Sequence, residues 1–75
     1  MNTPTIDCTG LNCPLPILRL KKAIDGINAG ETLELVATDL SSVKDVAAWS
    51  KQTGHVLLES GQAAGKFRFV IRKAA

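Results

Sequence analysis

Two cysteines, Cys8 and Cys13, carry the most distinctive chemistry in this sequence, and they are spaced C-x4-C. Cys13 lies directly before a segment in which Pro14 and Pro16 flank the entrance to a predicted helix. The free N–H groups and the positive dipole end of a helix N-terminus stabilise an anion, so we expect Cys13 to lose its proton more easily than a free thiol. Because the thiolate is the nucleophile, this pattern favours a reactive Cys13, the alternative being a small buried apolar residue.

Other kinds of cysteine chemistry find less support in the sequence. The single histidine, His55, lies forty-two residues after Cys13 at a predicted strand start, which disfavours a Cys–His hydrolase. A thioredoxin-like redox centre would favour C-x-x-C, and a structural disulfide is not expected in a reducing compartment. Zinc needs four ligands, and His55 alone could join the cysteines without carboxylates, so we expect no metal site. These absences favour a cysteine that carries a group over one that turns over a bound small substrate.

The elements that must position Cys13 follow the order β-α-β-α-β-β. The helix after Pro14 shows apolar residues at helical spacing (Ile17, Leu20, Ile24 and Ile27), and Asp39, Ser41 and Ser42 predict the N-cap of a second helix. The predicted elements are strands over 5–8, 31–37, 55–60 and 66–72, a first helix that enters at Pro14 and Pro16 and is closed by Gly26 and residues 28–30, a second helix over 41–53, and a hairpin loop over 61–65. This order predicts an α/β (α+β) two-layer sandwich, with a four-stranded mixed sheet and both helices on one face.

Composition sets the scale of the protein. Its 75 residues, 45% hydrophobic and 21% charged, predict one small globular domain over 1–75 and exclude a two-lobed enzyme with a deep cleft. No apolar run is long enough for a membrane span, and the N-terminus lacks the features of a signal peptide, so we expect a cytoplasmic protein with no membrane partner. The basic residues near the C-terminus predict a solvated strand face, with a docking surface for an acidic protein or RNA as the alternative.

The stretch from Asp7 to Pro16 resembles the signature of the TusA (SirA-like) sulfur-carrier family, an acidic residue followed by Gly-Leu-x-Cys-Pro-x-Pro. The resemblance covers almost the whole chain, because Gly30–Leu33, Thr38-Asp39 and Gly54-His55 also match turns of that family. It departs at Leu40, where the family often has proline. The resemblance implies a single TusA-like domain with a βαβαββ sandwich, similar to the C-terminal domain of a bacterial initiation factor.

Membership of that family implies that Cys13 accepts sulfane sulfur as a covalent persulfide, with no other cofactor, and passes it to a partner. The implied donor is a cysteine desulfurase or a rhodanese, and the implied acceptor is a DsrE-like or other sulfur-relay protein. The sulfur would serve tRNA 2-thiolation, molybdenum-cofactor supply or dissimilatory sulfur oxidation. Such a protein is a sulfurtransferase only in the sense that its own cysteine is the carrier. Gly10, Leu11, Pro14 and Pro16 would shape the motif around Cys13.

Several roles near the motif stay open at the level of sequence. Cys8 is interpreted as an inward-facing residue at the end of the first strand, with a resolving or auxiliary thiol as the alternative. Arg19, Lys21 and Lys22 either guide acidic partners or form the solvated side of the helix. The competing functions are a nucleic-acid-binding module, disfavoured by the small positive charge and few aromatic residues, and a regulatory protein whose thiol senses oxidation.

Overall fold

The computed structural model describes residues 3–12 and 14–74, so Cys13 lies outside the described residues. The sheet has the order β1-β2-β4-β3, in which β1 is parallel to β2 and β4 is antiparallel to both of its neighbours. Both helices pack on one face of this sheet, which confirms the predicted two-layer sandwich. The elements are β1 (Thr5–Cys8), α1 (Leu15–Asp25), β2 (Thr32–Ala37), α2 (Ser41–Thr53), β3 (Val56–Ala63) and β4 (Lys66–Arg72).

The core lies between the sheet and the helices. Alternate residues of β2 point toward the helices and are buried, as the period of two in a strand requires. Leu20 and Ile24 of α1 meet them from the helical layer, one turn apart on the same face. The cluster is aliphatic except for one cysteine and two aromatic rings, and its buried members are Cys8, Leu20, Ile24, Leu33, Leu35, Ala37, Val46, Trp49, Phe69 and Ile71.

The helix ends follow local chemistry. Helix α1 begins at Leu15, within the predicted entrance at Pro14 and Pro16, because a proline in the first turn, here Pro16, loses no intrahelical hydrogen bond. Helix α2 has the predicted bounds. The Asp39 carboxylate accepts the Ser41 N–H at 3.1 Å. The predicted capping role of Ser41 and Ser42 is wrong, because the N-cap residue is Leu40 and the Ser42 hydroxyl instead donates to the Asp39 carbonyl at 2.6 Å. Gly54 ends the helix in the left-handed conformation with φ +82°. None of the helices in the described ranges is long and apolar enough to span a membrane.

The hairpin of β3 and β4 corrects one prediction. Strand β3 continues to Ala63, and the segment 61–65 is not a loop, because Gly61 and Ala63 pair with Arg68 and Lys66. The chain reverses at Ala64 and Gly65, both with positive φ, which is the geometry of a type I′ turn. The backbone of such a turn matches the twist of the two strands. The two strands therefore stay paired up to the turn, although the last residues of β3 have no large apolar side chains.

Candidate functional site

The segment that joins β1 to α1 contains the cysteine motif, and we call residues 9–12 the motif loop. The loop leaves the sheet in a tight turn, in which the Leu11 N–H donates to the Cys8 carbonyl at 3.1 Å. Gly10 has φ +80°, a conformation that a side chain would strain. The glycine of the motif is therefore required by the backbone of this turn.

The Asp7 side chain holds the start of the motif loop. One of its carboxylate oxygens accepts the Thr9 hydroxyl at 2.7 Å and the Thr9 N–H at 3.0 Å. These hydrogen bonds, the hydroxyl first, lower the pKa of Asp7 below its ordinary value, with a smaller contribution from the charge of Lys66. Asp7 is thus a charged residue that stabilises a turn, in an environment unlike that of a general acid.

Both sides of position 13 are hydrogen-bonded. Before it, the Gly10 N–H donates to the Thr38 hydroxyl oxygen at 2.9 Å, which ties the motif loop to the end of β2. After it, the Leu15 N–H donates to the Asn12 carbonyl at 2.9 Å and the Leu18 N–H to the Pro14 carbonyl at 3.1 Å. The structure therefore fixes the residues that flank Cys13, at the sequence position where α1 begins.

The supporting residues of the motif differ in exposure. Leu11 is half-buried and packs against the core, Pro16 is a buried residue in the first turn of α1, and Gly10 and Pro14 are exposed. The first turn of α1 is therefore covered at Pro16, whereas Pro14 leaves the approach to that turn open. This arrangement accounts for the two prolines without assigning them any chemistry.

Cys8 is fully buried in the core, one residue before the motif loop. Burial raises the pKa of its thiol; the nearby charge of Arg19 acts in the opposite direction, and Asp7 raises the pKa further. A buried thiol of raised pKa is a poor nucleophile, because the thiolate is the reactive form. The geometry favours the interpretation of Cys8 as a packed strand residue over that of an auxiliary thiol.

Arg19, Lys21 and Lys22 are all exposed, but they do not form one patch. At 3.6 residues per turn, Arg19 and Lys21 point in directions about 160° apart around α1. Lys21 lines a groove of about 270 Å³ between α1 and α2, whereas the charge of Arg19 is close enough to Cys8 to oppose the rise in the pKa of that thiol. That groove begins at Pro14 and includes Asp45. Any steering by these charges therefore involves two flanks of the helix.

His55 lies away from the motif loop. It precedes Val56, which pairs with Arg72, whereas Cys8 lies at the opposite end of the sheet next to Ala37. Its Nδ1 atom accepts the Ala74 N–H at 2.9 Å, and its ring lies 5.1 Å from that of Trp49. These contacts give His55 a structural role at the C-terminal segment.

No group of three or more His, Cys, Asp or Glu side chains within residues 3–12 and 14–74 could hold a metal ion. The residue that sequence reasoning missed is Thr38. Its hydroxyl contacts the motif loop from 28 positions away, and the sequence shows it only as a threonine before the acidic turn of α2. The register of β1 against β2, which brings Ala37 beside Cys8, is what places it there.

The fold and the site define a small two-layer α/β domain with a cysteine–proline motif where its first helix begins. The family model described as "Sulfurtransferase TusA" matches residues 4–73, and the chain belongs to the TusA family. It is 52% identical over 69 residues to the sulfur carrier protein TusA of Allochromatium vinosum, covering 92% of this chain and 91% of the relative.

A second relative agrees with that assignment, and a crystal structure shares the fold. The chain is 40% identical over 70 residues to the sulfur carrier protein TusA of Pseudomonas putida, covering 93% of this chain and 88% of the relative. The crystal structure of a SirA-like protein from Desulfitobacterium hafniense superposes with a TM-score of 0.85 at 24% identity, covering 97% of this chain and all of that one. This structural likeness shows the shared fold.

Proposed function

We propose that this protein is a sulfur carrier that accepts sulfane sulfur on Cys13 as a persulfide and delivers it to an acceptor protein. The observation that supports this most is the motif itself. In a chain of the TusA family, Gly-Leu-Asn-Cys-Pro-Leu-Pro occupies the start of α1, and the residues on both sides of the cysteine are held by hydrogen bonds. The relatives named as sulfur carriers match this chain over nearly its full length.

The transfer is a displacement at sulfur that needs no external oxidant. The Cys13 thiolate attacks the terminal sulfur of a persulfide on the donor, a new S–S bond forms on Cys13, and the S–S bond of the donor breaks. The donor cysteine leaves as a thiolate, which recovers a proton from solvent. The sulfane sulfur keeps its oxidation state, so the same step, run with the acceptor's thiolate as the nucleophile, unloads the carrier.

The surrounding residues favour the thiolate and the persulfide anion. The first turn of α1 begins at Leu15, two residues after Cys13, and its positive dipole end stabilises negative charge nearby. Cys8, the second cysteine, is buried, so it does not compete for a protein donor. We propose that the covalent persulfide on Cys13 is the only cofactor that the transfer uses.

The proposed donor is a cysteine desulfurase or a rhodanese, and the proposed acceptor is a DsrE-like or similar sulfur-relay protein. In loading and in unloading, a cysteine of the partner protein has to approach Cys13. A carrier site at the start of a helix is consistent with this requirement. The downstream use would be tRNA 2-thiolation, molybdenum-cofactor supply or dissimilatory sulfur oxidation. A carrier thiol has to stay reduced between loadings, so we propose that the protein works in the cytoplasm.

The nucleic-acid-binding alternative finds no support in the structure. Phe69 and Trp49 are buried and Phe67 is half-buried against the core, so the three aromatic residues offer no exposed stacking platform. On the open face of the sheet, Arg68 of the basic strand β4 donates to Glu34, and a second carboxylate lies 3.9 Å away. Part of the basic charge is thus already balanced by acidic side chains.

The test is intact-mass spectrometry after incubation with a cysteine desulfurase and cysteine. We expect an adduct of about 32 Da, one sulfur atom, which dithiothreitol removes. Oxidation of a sensor thiol to sulfinic acid adds nearly the same mass but is not reversed by dithiothreitol, so the reduction step separates the two functions.

The matched variants are Cys13→Ser and Cys8→Ala, each of which keeps one cysteine. We expect Cys13→Ser to lose the adduct and to keep its cooperative unfolding, and Cys8→Ala to load sulfur. An adduct that survives in Cys13→Ser, or a wild-type protein that takes up no reducible sulfur, would contradict the proposed function.

A further inference from the structure

A threonine outside the cysteine motif ties the motif loop to the sheet. Thr38 follows Ala37, the last residue of β2, and Ala37 pairs with Cys8, the last residue of β1. Just beyond that pair, the Thr38 hydroxyl oxygen accepts the Gly10 N–H at 2.9 Å. A side chain thus links the two chain segments after their strands have ended.

The Thr38–Gly10 hydrogen bond joins residues that are much farther apart along the chain than the other hydrogen-bonded pairs of the loop. The Leu11–Cys8, Thr9–Asp7 and Leu15–Asn12 hydrogen bonds join residues two or three positions apart, so they shape the turn without fixing it to the rest of the molecule. The Thr38–Gly10 bond spans 28 positions. It acts on a glycine, the residue type with the most backbone freedom to lose, so it restricts the loop where the loop is most flexible.

We propose that Thr38 is a positioning residue for Cys13, whose hydroxyl anchors the motif loop so that the cysteine is presented at the start of α1. This inference rests on the proposed function, because it concerns the same cysteine. The bond is exposed to solvent, so water can satisfy the Gly10 N–H when the hydroxyl is absent. Removing the hydroxyl therefore loosens the loop more than it destabilises the fold.

The test is the pH dependence of Cys13 alkylation by iodoacetamide, with the modified residue located by peptide mass spectrometry. Thr38→Val keeps the shape of the side chain and removes the acceptor. Because α1 begins two residues after Cys13 in the sequence, we expect a loosened loop to weaken the stabilisation of the Cys13 thiolate by the dipole of α1. The midpoint of the profile then rises, and the rate at neutral pH falls about two- to fivefold. Thr38→Ser, which retains the hydroxyl, restores the wild-type profile.

The matched control is Thr53→Val, which removes a threonine hydroxyl bonded to the Trp49 carbonyl at 2.8 Å in the last turn of α2. It leaves the alkylation profile unchanged. Urea midpoints are measured on every variant, and Thr38→Ala removes the same oxygen in a second way should valine disturb the fold. An unchanged profile in both Thr38→Val and Thr38→Ala, or a shift that Thr38→Ser does not reverse, overturns the positioning role.

Sulfur loading separates this inference from the proposed function. The alkylation profile needs no sulfur donor, so it reports on Thr38 even if the wild-type protein takes up no persulfide, a result that refutes the carrier function alone. If the wild-type protein loads and the proposal holds, Thr38→Val loads more slowly at a saturating concentration of the donor, where association no longer limits the rate. Equal loading rates under that condition overturn the positioning role alone.

Discussion

Replacing the buried cysteine is the sharpest way to separate packing from chemistry at this site. Cys8 is fully buried in the core cluster, and removing its sulfur deletes a group about the size of a methylene. Burial of a methylene contributes about 0.8 kcal/mol, and the small cavity left behind adds to the loss. We therefore expect Cys8→Ala to lower the free energy of unfolding by about 1 kcal/mol, which in a domain of this size lowers the melting temperature by about 4–8 °C.

Cys8→Ser provides the matched comparison. Serine is close to cysteine in size, but its hydroxyl would enter an apolar site, and a buried polar group without a partner costs about 1–3 kcal/mol. Packing thus predicts that serine destabilises the protein at least as much as alanine. An accessible auxiliary thiol would give the opposite order, because serine is the gentler replacement at a solvated position.

The assay is urea unfolding and sulfur transfer measured on the same samples. We expect both variants to load Cys13 and pass sulfur onward at close to the wild-type rate under conditions where they are folded. A Cys8→Ala protein that is as stable as the wild type yet fails to deliver sulfur would refute this reasoning and make Cys8 part of the relay.

Reversing Lys21 and Lys22 to glutamate should slow transfer between proteins mainly through the association rate, with a larger effect at low salt, since charges are screened over about 8–10 Å at physiological ionic strength. Alkylation of Cys13 by a small reagent should change much less. Hydrogen bonds from Arg68 and then Thr5 hold the pKa of Glu34 below its ordinary value of 4.5, so its contribution to stability is present above that pH and is lost as the pH falls through the lower, folded-state value. Glu34→Gln should therefore flatten the acid side of a stability–pH curve. Ala64→Asn should raise the free energy of unfolding by roughly 0.5–1 kcal/mol, because alanine at φ +53° is strained and asparagine is favoured there.

Each of these expectations has a control. Lys51→Glu changes a charge in the last turn of α2, and transfer should be affected less than by reversal at Lys21 and Lys22. If alkylation slows as much as transfer does, the lysines act on the thiolate itself, and if neither changes they are only a solvated helix face. Identical acid limbs for the wild type and Glu34→Gln, or unaltered stability in Ala64→Asn, would contradict the corresponding arguments.

The sequence predicted the bounds of an element where its apolar periodicity was clear and residues typical of element ends flanked it. The bounds of α2 and β4 are as predicted, because an N-cap region and Gly54 delimit the helix and alternating residues define the strand. The end of β3 was missed because an exposed edge strand shows no apolar alternation. Its residues 61–63 are glycine, glutamine and alanine, a composition that also occurs in loops, and only the pairing with β4 shows that they belong to a strand.

The sequence predicted only those parts of the site that are formed by residues adjacent in the chain. The motif and the start of α1 depend on adjacent residues, and the family assignment follows from the same stretch. The contact of Thr38 with Gly10 depends on strand register, which no short window of sequence contains. The spread of the charges on α1 could have been obtained from helical periodicity, because positions 19 and 21 cannot share a face.

The position of β1 at the edge of the sheet has a consequence for local unfolding. This strand has four residues and one neighbour, β2, whereas β4 is held on both sides. Detaching β1 breaks one ladder and leaves the β2-β4-β3 pairing intact, so we expect its amide protons to exchange with solvent at a lower free-energy cost than those of β4. The motif loop starts where β1 ends. The proposed carrier site thus follows a strand that is released more easily than β4, and exchange rates there should report the freedom of the loop.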